Sequence, residues 1–410
     1  MSSAQFDSSQ GDGQKFAGLT SKYVRLSFTL GLLSLALLLI LGEILIRLFT
    51  VSDPEGPLVG NLRLLPRYWP NVANQWQRRW RQHHSDSGVL AFDPILGWTV
   101  APNKKGVGPA GEKLFSSTEG ARARDQRESL RDRYAALSIA LIGNSYVFGS
   151  DVNFEDTWGY HLEQRFGGDV KVLNFGVPGY GVDQAYLRYL KDVRELRPKI
   201  AILGLISHDL LRTTMVYYAV GFPGAVAPGA KPRFMLIDGQ LKLINTPLPS
   251  PEDVYAIQSI EQLPYIVYDR AYRPSEWQSQ WYDVFYLFRF VVSFSFAELR
   301  PSTETVSLNR AILNSFVREA TSKGTLPLIV YLPSYLELSG GRDAPSRTTS
   351  LGVQVLKDAE VDFVDLTDCV EGVEGQRRFT RGWHYTPHTN SVLADCLHDV
   401  LIARLSRRAS

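Results

Sequence analysis

The sequence has few cysteines, no strong charge imbalance and no internal repeat. Only two cysteines occur in 410 residues. Neither lies near a histidine at metal-ligand spacing, so the sequence indicates no metal site and no resident cofactor. The 44 basic and 42 acidic residues leave a formal net charge of +2, which gives no reason to expect nucleic acid as a partner. With 44% hydrophobic and 21% charged residues, the composition is that of an ordinary globular protein.

An apolar run near the N-terminus predicts a membrane anchor. Leu26–Gly42 carries no charge, and the run continues to Val51. At about 1.5 Å rise per residue, this segment is long enough to cross a hydrocarbon layer of roughly 30 Å. No small-x-small cleavage site follows it. We therefore interpret residues 26–51 as an uncleaved transmembrane signal-anchor and residues 1–25 as a disordered cytoplasmic tail. The alternative is a buried core helix.

The charges on the two sides of this run do not decide its orientation. Lys22 and Arg25 precede it, and Arg63 and Arg67 follow it, so the positive-inside rule favours neither direction strongly. The shortness of the tail favours a cytoplasmic N-terminus. The expected arrangement is a single-pass membrane protein with its main domain on the periplasmic or extracellular side.

The pattern of the chain changes at residue 137. Residues 52–136 are rich in arginine, tryptophan and proline and then show little periodicity, which predicts a connector with extended segments and one short helix. Beyond it, apolar runs and amphipathic segments alternate at βαβ spacing. This alternation predicts a parallel sheet with helices on both faces. The strands are expected at 137–143, 170–174, 200–205, 326–332 and 361–366, and the helices at 155–166, 182–196, 303–322, 349–359 and 389–406.

Residues 216–300 interrupt this alternation and are predicted to be an insertion. The segment "RFMLIDGQLKLI" predicts a hairpin with Asp238 and Gly239 at its turn. A helix rich in aromatic residues is expected at about 281–299. An insertion of this kind is expected to cap the functional site.

Chemically useful groups follow three of the predicted strands, and such groups collect at the carboxyl ends of strands in open α/β sheets. Ser145 follows the first strand in a turn ahead of a helix, where its N–H can stabilise a developing oxyanion. A glycine cluster, Gly176–Gly181, follows the second strand and permits close backbone approach to a ligand. His208 and Asp209 follow the third. Simpler interpretations are a capping serine, a tight turn and a helix-terminal aspartate beside a surface histidine.

Near the C-terminus, His384 lies in a loop before the last predicted helix. A histidine on such a loop can reach a serine that the first strand positions. His388 is the competing candidate, but it falls where the helix begins and is expected to face solvent.

Taken together, these four segments resemble the conserved blocks of the SGNH/GDSL hydrolase family. "GNS" resembles the G-D-S block, "NFGVPG" the glycine block, "GLISHD" the G-x-N-D block and "WHYTP" the last block, and they occur in the family's order. The resemblance covers residues 137–215 and 325–405. A "DPxLGW" segment ahead of the serine, similar to that of membrane-tethered bacterial members, extends it to about residue 91.

The resemblance implies a flavodoxin-like α/β sheet, the SGNH hydrolase fold, over residues 137–407. It implies that Ser145 is the nucleophile and His384 the general base. The N–H groups of Ser145 and Gly179 and the side chain of His208 would form the oxyanion hole.

Two positions depart from the family pattern. His208 stands where the family usually has asparagine, and Arg381 stands where the family has aspartate, three residues before the histidine. A buried carboxylate normally fixes the tautomer of the catalytic histidine. Three interpretations remain: Arg381 points away and a backbone carbonyl orients His384, another acid (Asp365 or Asp368) substitutes, or the site is catalytically weak or inactive.

The implied function is that of a serine esterase or deacylase acting on ester-linked acyl groups. The predicted location suggests an O-acetylated cell-surface polysaccharide as substrate. One alternative is an O-acyltransferase for an envelope polysaccharide, which would need a multi-pass membrane partner to supply the acyl donor. Another is a degenerate, non-catalytic SGNH domain that binds glycan.

The two cysteines, Cys369 and Cys396, bracket the His384 loop. In an oxidising compartment they are expected to form a disulfide that braces this loop. Two buried free thiols are the alternative.

Overall fold

A computed structural model describes most of the chain: residues 10–84, 88–126, 128–129, 137–167, 170–222, 224, 227, 229–295, 302–338 and 350–409. The α-helices are α1 (Gln10–Phe49), α2 (Trp69–His84), α3 (Ser145–Phe148), α4 (Trp158–Arg165), α5 (Val182–Arg188), α6 (Ser207–Arg212), α7 (Tyr218–Gly221), α8 (Pro251–Ala256), α9 (Tyr286–Ser295), α10 (Thr303–Ser322), α11 (Tyr335–Leu338), α12 (Leu351–Asp358), α13 (Thr367–Glu371) and α14 (Pro387–Ala409).

The strands are short outside the central sheet. They are β1 (Thr50–Val51), β2 (Leu58–Val59), β3 (Leu62–Arg63), β4 (Leu90–Asp93), β5 (Gly97–Val100), β6 (Lys105–Val107), β7 (Lys113–Ser116), β8 (Arg122–Ala123), β9 (Leu137–Gly143), β10 (Val170–Gly176), β11 (Ile200–Leu205), β12 (Phe234–Ile237), β13 (Gln240–Leu243), β14 (Leu326–Tyr331) and β15 (Phe363–Asp365).

The central sheet has the order β15-β14-β11-β9-β10-β8-β7-β6. The five strands from β15 to β10 are parallel, and their order corresponds to 2-1-3-4-5, that of flavodoxin. Every residue of β11 is buried, as expected of a parallel strand with both faces covered. The prediction of a flavodoxin-like parallel sheet with helices on both faces is therefore confirmed.

Helices cover both faces of this sheet. On one face, α4 and α14 contact each other, and Trp158, Leu162 and Leu397 pack there with alternate residues of β9 and β11. On the other face, α10 contacts α5, α12 and β14. Its side chain Phe316 meets Tyr189 at 5.2 Å between ring centroids. The sheet is thus buried in the middle layer, and only its edges are open to other groups.

The predicted connector needs correction, because part of it belongs to the main sheet. Strands β8, β7 and β6 continue the sheet in antiparallel pairing from β10. In addition, the predicted short helix is α2, which spans 16 residues. Its buried residues recur every three or four positions, as in Val72, Trp76 and Trp80, so this arginine-rich segment has an apolar stripe.

The chain divides into two compact units. One comprises residues 1–71 and 274–297, and the other comprises residues 72–273 and 298–410. In the first unit, α1 begins at Gln10, so residues 10–25 of the predicted tail are helical, and residues 1–9 lie outside the described chain. The most apolar 18-residue window of Arg25–Phe49 has a mean hydropathy of 2.4, and none of it is buried. This part of α1 is long and apolar enough to cross a membrane.

The predicted insertion is divided between the two units. Its hairpin is confirmed: β12 and β13 pair antiparallel around Asp238 and Gly239, which both have positive φ. The aromatic-rich helix is shorter than predicted. It consists of a 3-10 turn, Trp281–Val284, followed by α9, and the predicted residues 296–299 lie outside the described chain.

Candidate active site

Three glycines align at the carboxyl edge of the central strands. Gly143 ends β9, and it pairs in register with Gly176 of β10 and Gly204 of β11. A Cβ on Gly143 would lie 2.3 Å from the carbonyl oxygen of Gly204, so the strands can approach this closely only because the side chain is absent. The chain leaves β9 through this gap and enters α3 at once.

Ser145 is the first residue of α3, and Asn144 fixes its position. The Asn144 side chain accepts hydrogen bonds from the backbone N–H of Tyr146 and Val147, as an N-cap does. It also donates to the buried carboxylate of Asp209, which accepts from Arg212 at 2.6 Å. Burial raises the pKa of Asp209 to about 7, although the Arg212 charge opposes this shift. The hydrogen bond between Asn144 and Asp209 therefore joins the "GNS" segment to the "SHD" segment.

The structure brings Ser145 and His384 together and adds Asp151 to them. His384 Nε2 lies 2.9 Å from Ser145 Oγ. On the other side of the imidazole, Nδ1 lies 2.8 Å from Asp151 Oδ2. A carboxylate at Nδ1 selects the tautomer in which Nε2 can accept the serine proton. The three side chains thus form a serine–histidine–aspartate relay.

Asp151 is held as an ionised acceptor. Its side chain is largely buried, and this burial acts to raise its pKa. The hydrogen bonds from His384 and from the Thr380 hydroxyl outweigh burial and leave the pKa below its ordinary value. The carboxylate is therefore charged at neutral pH and can stabilise a positive charge on the His384 imidazole.

The prediction that Asp365 or Asp368 orients His384 is corrected by this arrangement. Asp365 accepts hydrogen bonds from the backbone N–H and the hydroxyl of Thr367, and Asp368 is exposed in α13. Arg381, at the family's aspartate position, is also exposed. Because Asp151 supplies the carboxylate, Arg381 gives no reason to consider the site degenerate.

The turn that carries Asp151 is fixed from the sheet. Arg122 of β8 is buried, and its guanidinium donates to the carbonyl oxygens of Gly149 at 2.8 Å and Val152 at 2.5 Å. Asp151 lies between these two residues with a φ of 68°, a conformation that aspartate tolerates better than most residues. Strand β8 therefore positions the acid of the relay.

Two hydrogen bonds hold the loop that carries His384. One joins it to the residue after Ser145, and the other lies within the loop. Tyr146, next to the serine, donates its hydroxyl hydrogen to the carbonyl oxygen of Trp383 at 2.7 Å. The Thr380 N–H donates to the carbonyl oxygen of His384 at 2.7 Å. Gly382 lies against Asp151, where a Cβ would be 2.2 Å from the carboxylate. A larger residue at this position would have to displace the Asp151 carboxylate or the loop.

Two backbone N–H groups are available for an oxyanion. Ser145 begins α3, so its N–H has no partner within the helix. Gly179 has a φ of 83°, and the carbonyl of the preceding Pro178 accepts a hydrogen bond of 2.9 Å from Trp98 Nε1. In a trans peptide the C=O and N–H point in opposite directions. Trp98 therefore turns the Gly179 N–H away from itself.

His208, the third predicted oxyanion donor, is a partly buried side chain in α6. Burial lowers its pKa, and the charge of Arg212 lowers it further. His208 is consequently neutral at pH 7, with one ring N–H to donate and no charge of its own. Like the asparagine expected from the resemblance, a neutral histidine can donate one hydrogen bond without carrying a charge.

A cleft of about 550 Å³ in the second unit contains these groups. It is lined by Ser145, Asp151, Gly179, His208 and His384. Its walls are mostly apolar and come from the segment 88–114, from residues 218–224 and from residues 334–336 and 382–383. The first part of the predicted insertion therefore lines the site. Within the described residues, no group of three or more histidine, cysteine or acidic side chains is arranged to hold a metal ion.

Two further predictions concern residues near this loop. His388 is exposed at the start of α14, as expected, and it does not contribute to the relay. Cys369 of α13 and Cys396 of α14 form a disulfide. This bond joins the elements on either side of the His384 loop.

Asp151 and Trp98 are the functional residues that sequence reasoning missed. Asp151 lacks a motif, but its position six residues after the serine was an available signal. Trp98 belongs to the "DPxLGW" segment, whose contribution to the site appears only in three dimensions. The Trp98 side chain donates to Pro178. The backbone carbonyl oxygen of Trp98 accepts a hydrogen bond of 2.6 Å from the Tyr180 hydroxyl.

The fold is similar to those of several solved ester hydrolases. A lipase/acylhydrolase from Enterococcus faecalis is 12% identical over 65% of this chain and 96% of its own, with a TM-score of 0.36. A psychrotrophic esterase from Pseudoalteromonas sp. is 11% identical over 66% of this chain and 98% of its own, with a TM-score of 0.35. An acetylxylan esterase from Geobacillus stearothermophilus is 13% identical over 65% of this chain and 94% of its own, with a TM-score of 0.35. No protein-family model matches the chain, and no curated protein is similar to it in sequence.

Proposed function

We propose that this chain is a serine hydrolase that cleaves ester-linked acyl groups. The observation that carries the proposal is the continuous relay from Ser145 through His384 to Asp151, with distances of 2.9 and 2.8 Å. A serine hydroxyl alone is a poor nucleophile at neutral pH, and an oriented histidine base makes it reactive. The neighbouring N–H groups provide the complementary stabilisation of negative charge.

Acylation follows from this geometry. His384 Nε2 takes the proton of Ser145 as Oγ attacks the ester carbonyl carbon, and the carbonyl π electrons move to oxygen. The N–H groups of Ser145 and Gly179, with the ring N–H of His208, hold that oxyanion. When the carbonyl re-forms, the bond to the alcohol oxygen breaks, and His384 gives this oxygen its proton. The alcohol leaves, and the acyl group stays on Ser145.

Deacylation repeats the steps with water. His384 takes a proton from the water molecule that attacks the acyl carbon, and then returns a proton to Ser145 Oγ as the free acid leaves. Asp151 holds the imidazole in one orientation throughout and stabilises its charged form. An acyltransferase would differ only in using a sugar hydroxyl in place of water.

The proposal is tested with the full-length chain in detergent micelles. We expect p-nitrophenyl acetate to release p-nitrophenol and acetate, and an activated phosphonate ester to add one phosphonyl group to Ser145, located by peptide mass spectrometry. The neighbouring Ser150 serves as an internal control, because it lines the same cleft and should stay unmodified. Absence of both turnover and labelling would refute the proposal. Acetate transfer to added oligosaccharide without acetate release would replace hydrolysis by acyl transfer.

We further propose an O-acylated saccharide as substrate. Trp383, directly before the base, is 56% exposed, and its ring stacks on Tyr335 with centroids 5.5 Å apart and an interplanar angle of 5°. Both residues line the cleft. A tryptophan supported from behind offers a rigid apolar face of the size of a sugar ring at low cost in side-chain entropy. The adjacent relay would then act on an acyl group of the sugar that rests there.

The expected result for Trp383→Ala is a KM for acetylated xylo-oligosaccharides that rises about tenfold, a loss of about 1.4 kcal/mol in binding. The kcat for p-nitrophenyl acetate should stay the same, because the backbone carbonyl that binds Tyr146 is retained. Initial-rate kinetics on both substrates measure the difference. Leu336→Ala is the matched control, since Leu336 is an exposed apolar side chain of the same cleft. Equal KM changes in the two variants would argue against a sugar platform.

For the location, we propose that α1 is a membrane anchor and that the catalytic unit lies on the periplasmic or extracellular side. The apolar stretch of α1 supports the anchor. The disulfide between Cys369 and Cys396 supports an oxidising compartment, because such bonds are rare where thiols are kept reduced.

Thiol titration tests the disulfide. Protein isolated from membranes under acidic, non-reducing conditions and then denatured should contain no free thiol, and the same sample after reduction should contain two, since the sequence has two cysteines. Reduction is also expected to destabilise the catalytic unit by about 2–4 kcal/mol, measured as the free energy of unfolding. Two thiols before reduction would contradict both the disulfide and its compartment.

A further inference from the structure

The segment before and within α9 exposes a row of apolar side chains. Trp281 is 81% exposed, Val284 63%, Phe288 50% and Val291 56%. Trp281 and Val284 lie three positions apart in the 3-10 turn, and Phe288 and Val291 lie three positions apart in α9, so each pair lies on one side of its own element. Water is an unfavourable environment for such a row, so its exposure requires an explanation.

The opposite side of α9 is attached to Leu64 and Leu65, which belong to the same unit as α9. Arg289 donates hydrogen bonds to the carbonyl oxygens of Leu65 at 2.6 Å and Leu64 at 3.1 Å. The Ser293 hydroxyl accepts from the Leu65 N–H at 2.8 Å and is buried. The helix therefore cannot turn its exposed row inward without breaking these bonds.

The start of α9 is fixed to α1. Glu43 accepts hydrogen bonds from the N–H groups of Tyr286 at 3.0 Å and Leu287 at 2.8 Å, which are among the groups left unpaired at a helix start. Arg47 donates to the carbonyl oxygen of Val284 at 2.6 Å and lies 4.4 Å from the centre of the Tyr286 ring. The two charged residues that interrupt the apolar run of α1 thus both serve α9.

This attachment sets the depth of α9 along α1. A Cβ on Gly42 would lie 3.2 Å from the Leu287 side chain, so α9 approaches α1 at that level. From Leu26 to Gly42 the helix rises about 25 Å, and a hydrocarbon layer is roughly 30 Å thick. If α1 crosses a membrane from Leu26, α9 meets α1 roughly 6 Å inside the far edge of the hydrocarbon layer. Tryptophan and amphipathic helices are typical of this depth.

We propose that residues 281–291 form a second membrane contact, an interfacial segment whose apolar row inserts into the leaflet at the C-terminal end of α1. The proposal rests on α1 being a membrane anchor and is independent of the catalytic function. A lipid surface is favoured over a protein partner, because α9 meets α1 at Gly42, close along α1 to the exposed apolar side chains of Ile44 and Leu45. Two points of contact then prevent α1 from rotating about its own axis.

Spin labels on the full-length protein in phosphatidylcholine nanodiscs test this proposal. The native cysteines are paired, so Val284→Cys and Val291→Cys each give one labelling site. Collisions of the nitroxide with oxygen and with a water-soluble nickel chelate report its depth. We expect both labels to favour oxygen, with an immersion of about 5–10 Å. Val267→Cys, a valine that is 77% exposed outside this segment, is expected to favour nickel.

A label at Leu37, within α1, separates the inference from its premise. Nickel-accessible labels at Val284 and Val291 together with an oxygen-favouring label at Leu37 would overturn the interfacial segment and leave the anchor intact. A nickel-accessible label at Leu37 would overturn the anchor and with it the inference. Each variant must keep the near-ultraviolet circular dichroism of the parent, so that a misfolded variant is not mistaken for a water-exposed segment.

Discussion

Replacing Ser145 with alanine is expected to lower kcat for p-nitrophenyl acetate roughly 10⁶-fold, with little change in KM. In the proposed mechanism the Ser145 oxygen forms the acyl-enzyme, and in the wild type it lies 2.9 Å from His384 Nε2. Without it, only binding and the oxyanion donors remain. Stopped-flow and steady-state assays on the full-length chain in micelles measure the loss. The spontaneous hydrolysis of p-nitrophenyl acetate sets the largest loss that these assays can detect.

Three comparisons make this result specific. His384→Ala should lose as much activity as Ser145→Ala, and the double variant should lose no more, because the two residues act as a unit. Ser150→Ala, from the same cleft, should keep the wild-type rate within about twofold. If Ser145→Ala retained more than a hundredth of the wild-type kcat, Ser145 would not be the nucleophile.

The second large effect is expected at Asp151, which sequence reasoning did not select. Asp151→Asn should lower kcat about 10⁴-fold and leave KM nearly unchanged. The amide keeps the size of the side chain but can donate to His384 Nδ1, which favours the tautomer with a proton on Nε2. That tautomer cannot accept the proton of Ser145. Steady-state kinetics across pH 5–9 measure the effect.

Asp365→Asn and Asp368→Asn are the matched controls. Both should keep the wild-type rate, because neither carboxylate lies at His384 Nδ1, where the structure places Asp151. A loss in either that equalled the loss in Asp151→Asn would reverse the assignment of the acid.

The Asp151→Asn substitution is also expected to change the free energy of unfolding in a pH-dependent way. The pKa of Asp151 is lowered in the folded protein because hydrogen bonds from His384 and Thr380 outweigh burial. A carboxylate with a lowered pKa stabilises the fold above its unfolded value, about 4, and this contribution is lost as pH falls through the folded value. The wild type should therefore exceed Asp151→Asn in free energy of unfolding at pH 7, and the difference should shrink in acid. Denaturant titrations at several pH values check the sign.

Much of the fold could be predicted because its central elements carry strong local patterns. The strand from residue 137 is an apolar run that ends at glycine, and it is observed as Leu137–Gly143. Helix α10 was predicted at 303–322 and observed there, with Ser302 as its cap. Strands β6 to β8 were missed, because they have two to four residues each and join the sheet through pairings that no local pattern reveals.

The site was predictable where motif and element coincide. Ser145 and His384 each stand at a recognisable position, after a strand and before a helix. Asp151 does not, because its position depends on a one-turn helix and on the left-handed residue Gly149 that ends it. The contribution of Trp98 depends on the direction of one peptide carbonyl, which follows from tertiary packing and not from any residue pattern.

The location of Asp151 also decides which members of the relay move together. In the family pattern, acid and base lie three residues apart and share a loop. Here the acid follows the nucleophile by six residues, on a turn that Arg122 fastens to the sheet. Only His384 arrives from a distant part of the chain. Any undocking of the loop 379–385 therefore breaks both imidazole hydrogen bonds in one event. The proposed hydrolysis can proceed only while that loop is in place.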